Sequence, residues 1–147
     1  MQAIKPIRAH TFDRISRSNF PQFRSYALSV QDLQRLQEHL QRPDLAWLPL
    51  VAHVLRHKIR MAKPFVAVDR DGVVTGASLA AWSIDGGPVQ TGLLSHSARC
   101  GTTTGVIPVC STLGAALIGL SVGDRTPYLR ADRTIGLLKV LRVTVTA

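Results

Sequence analysis

His53 and His57 stand four residues apart, the spacing that puts two imidazoles on one helix face where they could share a metal ion. No glutamate follows the first histidine and no third ligand is evident, so no metal is expected here. Nucleophilic chemistry finds no support either: serines are plentiful, but no Gly-x-Ser-x-Gly turn occurs, and no Cys–His pairing is specified by spacing. The glycine-containing run Gly114-Ala115-Ala116-Leu117-Ile118-Gly119 has no lysine after its last glycine and lacks the dinucleotide fingerprint, so it does not cradle phosphate. Cys100 and Cys110 are two cysteines without a second pair, enough for neither a disulfide scaffold nor a tetrahedral zinc site, and reduced thiols in a cytoplasmic setting are expected. These residues leave no active site. The chain is expected to be no enzyme and to carry no cofactor, and a small-molecule ligand is not expected.

What remains is charge. The 147 residues hold 18 Lys+Arg against 9 Asp+Glu, a formal net charge of +9. Residues 1–63 carry eleven of the basic and four of the acidic groups, so the front half bears most of the excess, which favours an acidic protein surface or nucleic acid as partner. His53, Arg56, His57, Arg60 and Lys63 fall on the side of a helix opposite its apolar residues, forming a basic stripe. Such a stripe is either a solvated face or a partner-binding one, and the second reading makes these five residues, with Arg42 and Asp44 at the preceding turn, the candidate binding site. Membrane insertion is not expected: the longest apolar stretch, Leu45 to Ala52 interrupted by Pro49, is far below the ~20 residues that span a bilayer. Nor does the N-terminus hold the apolar run of a secretory signal.

The elements that must position these groups follow from periodicity. Residues 1–26 show no steady period and are expected to form a basic flexible arm. Ser29 can cap a helix that carries Val30, Leu33, Leu36 and Leu40 on one face, with Asp32 as its capping-box partner and Leu28 stapling to Leu33. Pro43 ends it. Pro49 suits the first turn of a second helix with Leu50, Val51, Val54, Leu55, Ile59 and Ala62 on its apolar side. Residues 27–63 are therefore expected to form a short antiparallel helical hairpin, with Leu36 and Val54 facing each other or the remaining core. Beyond Pro64 the period shortens: Ser78–Ile84 and Val89–Ser95 flank the turn cluster Asp85-Gly86-Gly87-Pro88, Val106–Cys110 makes a third strand, Ser111 or Thr112 can cap a short helix at Gly114–Leu120, and Arg125–Tyr128 follows the Gly123-Asp124 turn. Ile135–Val145 is apolar on both faces, which places it in mid-sheet with Leu141 buried. The class is α+β: a helical hairpin, then residues 64–147 as a small, mostly antiparallel sheet with one packed helix.

The stretch Ser111-Thr112-Leu113-Gly114-Ala115-Ala116-Leu117-Ile118-Gly119-Leu120-Ser121-Val122-Gly123-Asp124 resembles the C-terminal signature of the Gre transcript-cleavage factors and of the related Rnk-type regulators of nucleoside diphosphate kinase. In those proteins an S-P-x-G-x-A-L-L-G-like segment precedes a V-G-D/Q turn and a terminal strand; Thr112 stands where the family usually has proline. The similarity extends back through Ile84–Pro88 and Leu93-Leu94-Ser95-His96 and forward to Leu141-Arg142-Val143, covering residues 28–146. The resemblance implies an FKBP-like C-terminal domain and a hairpin that is a short coiled coil entering or capping the secondary channel of bacterial RNA polymerase. Cleavage-active Gre factors carry paired carboxylates at the coiled-coil tip that help hold a catalytic magnesium ion. Here the tip, Gln41-Arg42-Pro43-Asp44-Leu45, has one carboxylate beside an arginine, and magnesium prefers several oxygen ligands. The Rnk-like, non-cleaving branch is the better match. FKBP-like does not imply prolyl isomerase, because Phe65, Trp82 and Tyr128 are too few aromatics to line a proline pocket. The expected function is a non-enzymatic transcription regulator that binds RNA polymerase; the alternative is a basic nucleic-acid-binding module, and weak nucleic-acid contact through the basic front half fits either.

Overall fold

Two helices with an apolar side each cannot stand alone at this length, so what they pack against decides the fold. The computed structural model describes residues 25–66, 71–98 and 105–145. Most of the expected N-terminal arm, and Cys100, lie outside the described residues. Strand β1 (Tyr26–Ser29) leads directly into helix α1 (Val30–Leu40), and Ser29 acts as the cap, its hydroxyl accepting from the Asp32 amide at 3.0 Å. A 3-10 turn (Pro43–Trp47) with proline in its first turn reverses the chain into helix α2 (Pro49–Arg60), and strand β2 (Ala62–Phe65) follows. β1 and β2 pair in parallel, Tyr26 opposite Ala62 and Ser29 opposite Phe65, so the helix pair is the crossover between two strands.

Sequence periodicity does not reveal that strand pair. Four residues each, one strand buried throughout and the other containing Pro64, give no alternation to detect. Three placements change as a result, the first being Ala62, which opens β2 rather than continuing the apolar side of the second helix. Tyr26 is buried in β1 rather than ending an arm, and Lys63 sits exposed in β2 rather than continuing the helical stripe. On the expected apolar faces, Leu36 and Leu55 are fully buried and Val54 packs half-buried against the same cluster, whereas Val30 and Leu50 are exposed.

The second half is a five-stranded sheet, ordered β5-β4-β3-β7-β6, built from β3 (Ser78–Ile84), β4 (Gln90–Ser95), β5 (Val106–Pro108), β6 (Arg125–Leu129) and β7 (Ile135–Val145), with helix α3 (Thr112–Leu117) between β5 and β6 in the chain. All pairings are antiparallel except β4–β5. Positive φ at Asp85 and Gly86 turns β3 into β4, as the turn cluster predicts. Ser111 caps α3 through a 3.0 Å bond from the Gly114 amide. Gly114 is required there for space, since a Cβ would lie 2.0 Å from the Pro108 carbonyl oxygen.

β7 departs from expectation. Gly136, Leu138 and Val140 point inward, Ile135, Leu137 and Lys139 outward, so the strand has a solvent face rather than two buried ones. Between Ala81–Arg142 and Trp82–Val140 the register shifts by one residue, leaving Leu141 without an opposite partner on β3. This β-bulge re-aims the side chains, and Leu141 is 36% exposed instead of buried while Val143 turns back to the core.

One buried cluster runs from Leu28, Leu36 and Leu55 through Leu117 and Ile118 to Leu94, Leu138 and Val140. Backbone bonds seal the junction: Ala27 N donates to Gly119 O at 3.1 Å, Gly119 N to Val74 O at 2.9 Å, and Val74 N to Leu120 O at 2.8 Å. The helix pair is thus packed onto the sheet unit at its base. Among the described residues no helix is long and apolar enough to cross a membrane.

Candidate functional site

The turn between α1 and α2 follows from two prolines and presents mixed chemistry. Arg42 and Asp44 form an ion pair at 2.7 Å with both side chains well exposed, a geometry worth at most about 1 kcal/mol to stability. Trp47 is 86% exposed beside the exposed Leu48 and Leu50. No periodicity argument singled out Trp47, although an indole in a turn between prolines is a signal in itself. Of the stripe, His53, Arg56 and Arg60 are exposed along α2, as the helix geometry predicts. His57 is half-buried instead, its ring set edge-on to Tyr26 with centroids 5.9 Å apart. The structure therefore aligns three of the five stripe residues, turns one inward and moves Lys63 onto β2.

Arg42 is also the outer end of a hydrogen-bonded chain reaching into the protein. Arg42 Nη1 lies 3.4 Å from His39 Nδ1, His39 Nε2 lies 3.0 Å from His96 Nδ1, and His96 Nε2 lies 2.8 Å from Asp32 Oδ1. Asp32 is buried and also accepts from the Gly76 amide at 3.2 and 3.3 Å. Arginine can only donate, so His39 Nδ1 accepts from Arg42 and its Nε2–H faces His96 Nδ1, which makes His39 the neutral link of the chain. His39 is held at a pKa of about 4, chiefly by burial and then by the neighbouring His96. Gly76 is the cradle, because a Cβ there would stand 2.2 Å from His96 Nε2. Asp32 therefore reaches the next unit of the fold rather than closing a capping box. Asp32 and His39 are seven residues apart, two helical turns on one face, which is the one trace of this chain in the sequence.

Lys58 was absent from the sequence-based site. It is 2% exposed, and its ammonium donates to Ala116 O at 2.7 Å and Ile118 O at 2.6 Å, closing the C-terminal end of α3, and sits 5.0 Å from the centroid of the Tyr26 ring. Burial lowers its pKa to about 7. The signal was available: Lys58 lies about 80° round the helix from Leu50, within the apolar arc and away from the basic stripe. A cleft of about 380 Å³ opens above it, between α2, α3 and β6–β7. Among the described residues no group of three His, Cys, Asp or Glu is placed to hold a metal ion.

No protein-family model and no curated protein matches the sequence. Among solved structures, the prokaryotic transcription elongation factor GreA/GreB from Nitrosomonas europaea matches with a TM-score of 0.63 at 20% identity, covering 82% of this chain and 99% of that one. The GreA factor homolog 1 (Gfh1) of Thermus thermophilus matches with a TM-score of 0.40 at 19% identity, covering 82% of this chain and 99% of that one. The Thermus aquaticus Gfh1 gives 0.41 at 14% identity, with 82% and 98% covered. Over 82% of its length the chain shares the fold of the Nitrosomonas elongation factor.

Proposed function

We propose that this protein is a Gre-like transcription regulator, closest to the Rnk-type branch, that binds bacterial RNA polymerase near its secondary channel in the cytoplasm and does not stimulate transcript cleavage. The observation that carries this reading is the extent of the fold match, which takes in 99% of a structure described as an elongation factor. In this reading residues 27–63 are the polymerase-facing hairpin, a short coiled coil, and residues 64–147 the FKBP-like body. Arg42, Asp44, His53, Arg56, His57, Arg60 and Lys63 supply the contact, with basic groups meeting an acidic channel rim.

The tip supports the non-cleaving part. Asp44 is the one carboxylate in the turn, and Arg42 already neutralises it at 2.7 Å. Holding magnesium would require displacing that cation and finding further oxygen ligands. Helices of 11 and 12 residues span only about 17–18 Å at the helical rise of about 1.5 Å per residue, short for reaching a buried catalytic centre.

The test uses nuclease-treated core polymerase. The protein should be retained on it and should leave nascent RNA in backtracked complexes unshortened. Loss of retention after nuclease treatment, together with tight, steeply salt-dependent binding to free duplex DNA, would replace this reading with a nucleic-acid-binding one. Accelerated RNA shortening that disappears in Asp44→Ala would overturn the non-cleaving part.

A further inference from the structure

The cleft between α2, α3 and β6–β7 shares His53 and His57 with the contact proposed above, but the rest of its lining, on α2, α3, β6 and β7 and at Tyr26, takes no part in it. Its volume of about 380 Å³ falls within the range typical of ligand pockets, roughly 300–1,000 Å³. Val51, Ala115 and Ala116 form a buried apolar floor, while Leu50, Leu129 and Ile135 stand exposed around it, Ile135 at 71%. The ionisable groups in the lining are His53, His57, Lys58, Tyr26 and Tyr128; among the described residues that line it, none is a carboxylate. The polar chemistry is therefore of one sign.

Lys58 makes that sign matter. Two of its three ammonium protons are taken by the Ala116 and Ile118 carbonyls, and the charge of Asp124, which favours the ammonium, does not offset its burial. A desolvated ammonium compensated only in part is costly to keep charged, and an anion entering the cleft would relieve that cost. Its pKa, lowered to about 7, reflects burial outweighing the opposing pull of Asp124. We propose that this cleft binds a small amphipathic anion, an aliphatic or aromatic carboxylate, with its head group toward Lys58 and its apolar body covering Leu50, Leu129 and Ile135. A small-molecule ligand was not expected from sequence because the lining is assembled from β1, α2, α3, β6 and β7, with no local motif.

Three probes sharing one tail separate the terms: decanoate, 1-decanol and decylamine, each titrated below its aggregation concentration into the full-length protein, with the amide shifts of Thr126, Tyr128 and Leu129 locating the site. Decanoate should bind there about tenfold more tightly than 1-decanol, a difference of about 1.4 kcal/mol. Lys58→Met should abolish that preference. Because Lys58→Met removes a buried hydrogen-bonding group and could impair folding, Ile135→Glu serves as a second variant: it places a negative charge at an exposed position and should weaken decanoate severalfold while leaving decylamine undiminished. No decanoate binding at the cleft, equal binding of decanoate and 1-decanol, or decanoate binding indifferent to Ile135→Glu in a folded protein would each overturn the proposal.

Discussion

His39 and Lys58 are both buried bases whose protonated forms the fold disfavours, and both give a pH-dependent stability of known sign. For His39, the folded pKa of about 4 lies below the ordinary 6.5. Between these values the unfolded chain binds a proton that the folded chain does not, so this contribution is complete above pH 6.5 and is lost as pH falls toward 4, at up to about 1.4 kcal/mol per pH unit. Urea unfolding at pH 7 and pH 5 should show the loss, and His39→Gln should reduce it. A pH response unchanged in that variant would show that the His39–His96–Asp32 chain does not depend on neutral His39. For Lys58 the folded value of about 7 lies below 10.5, so stability should rise as pH increases from 7 toward 10. Lys58→Met, compared with the parent at pH 7 and 9.5, should lack that rise; an equal rise in both would place its origin elsewhere.

Among the elements, α1 and β7 make opposite predictions about leucines that look alike in sequence. Leu36 is wholly buried between the helices and the sheet, and Leu36→Ala should cost about 2–5 kcal/mol in chemical unfolding. Leu141 lies in the β7 bulge with its side chain partly in solvent, and Leu141→Ala should cost less than about 1 kcal/mol. Similar costs for the two would contradict the bulge. The helices themselves were legible because caps and prolines mark their ends: Ser29 and Pro49 stand where the sequence placed them. β1 and β2 were not, since short parallel strands acquire their identity from pairing across the 30-odd residues between them and not from local pattern.

At the scale of the whole molecule, the charge asymmetry has a surface to act through. His53, Arg56 and Arg60 are exposed on α2 while the helix's other side enters the common core, so the stripe can be reversed without disturbing packing. Arg56→Glu/Arg60→Glu should leave thermal unfolding nearly unchanged, within about 0.5 kcal/mol per site, and should slow association with nuclease-treated polymerase, because charge complementarity chiefly sets encounter rate. Undiminished binding by the folded double variant would reduce the stripe to a solvated face.

The sequence by itself determined the class, the starts of the first two helices and the spans of most strands, the exposed part of the basic stripe and the solitary carboxylate of the turn, while the third helix, expected at Gly114–Leu120, runs from Thr112 to Leu117. Each is set within one element, by a period of 3.6 or 2, a cap, a proline or a local count of charge. Tertiary structure decided the rest. Asp32 met His96 across 64 residues, Lys58 reached carbonyls 58 and 60 residues away, Leu141 was turned out by a register shift against β3, and the cleft took its walls from five elements. A lysine within an apolar arc or an aspartate in a first turn shows that something must compensate it. Which groups do so depends on what long-range packing brings within hydrogen-bonding distance, and no local pattern encodes that.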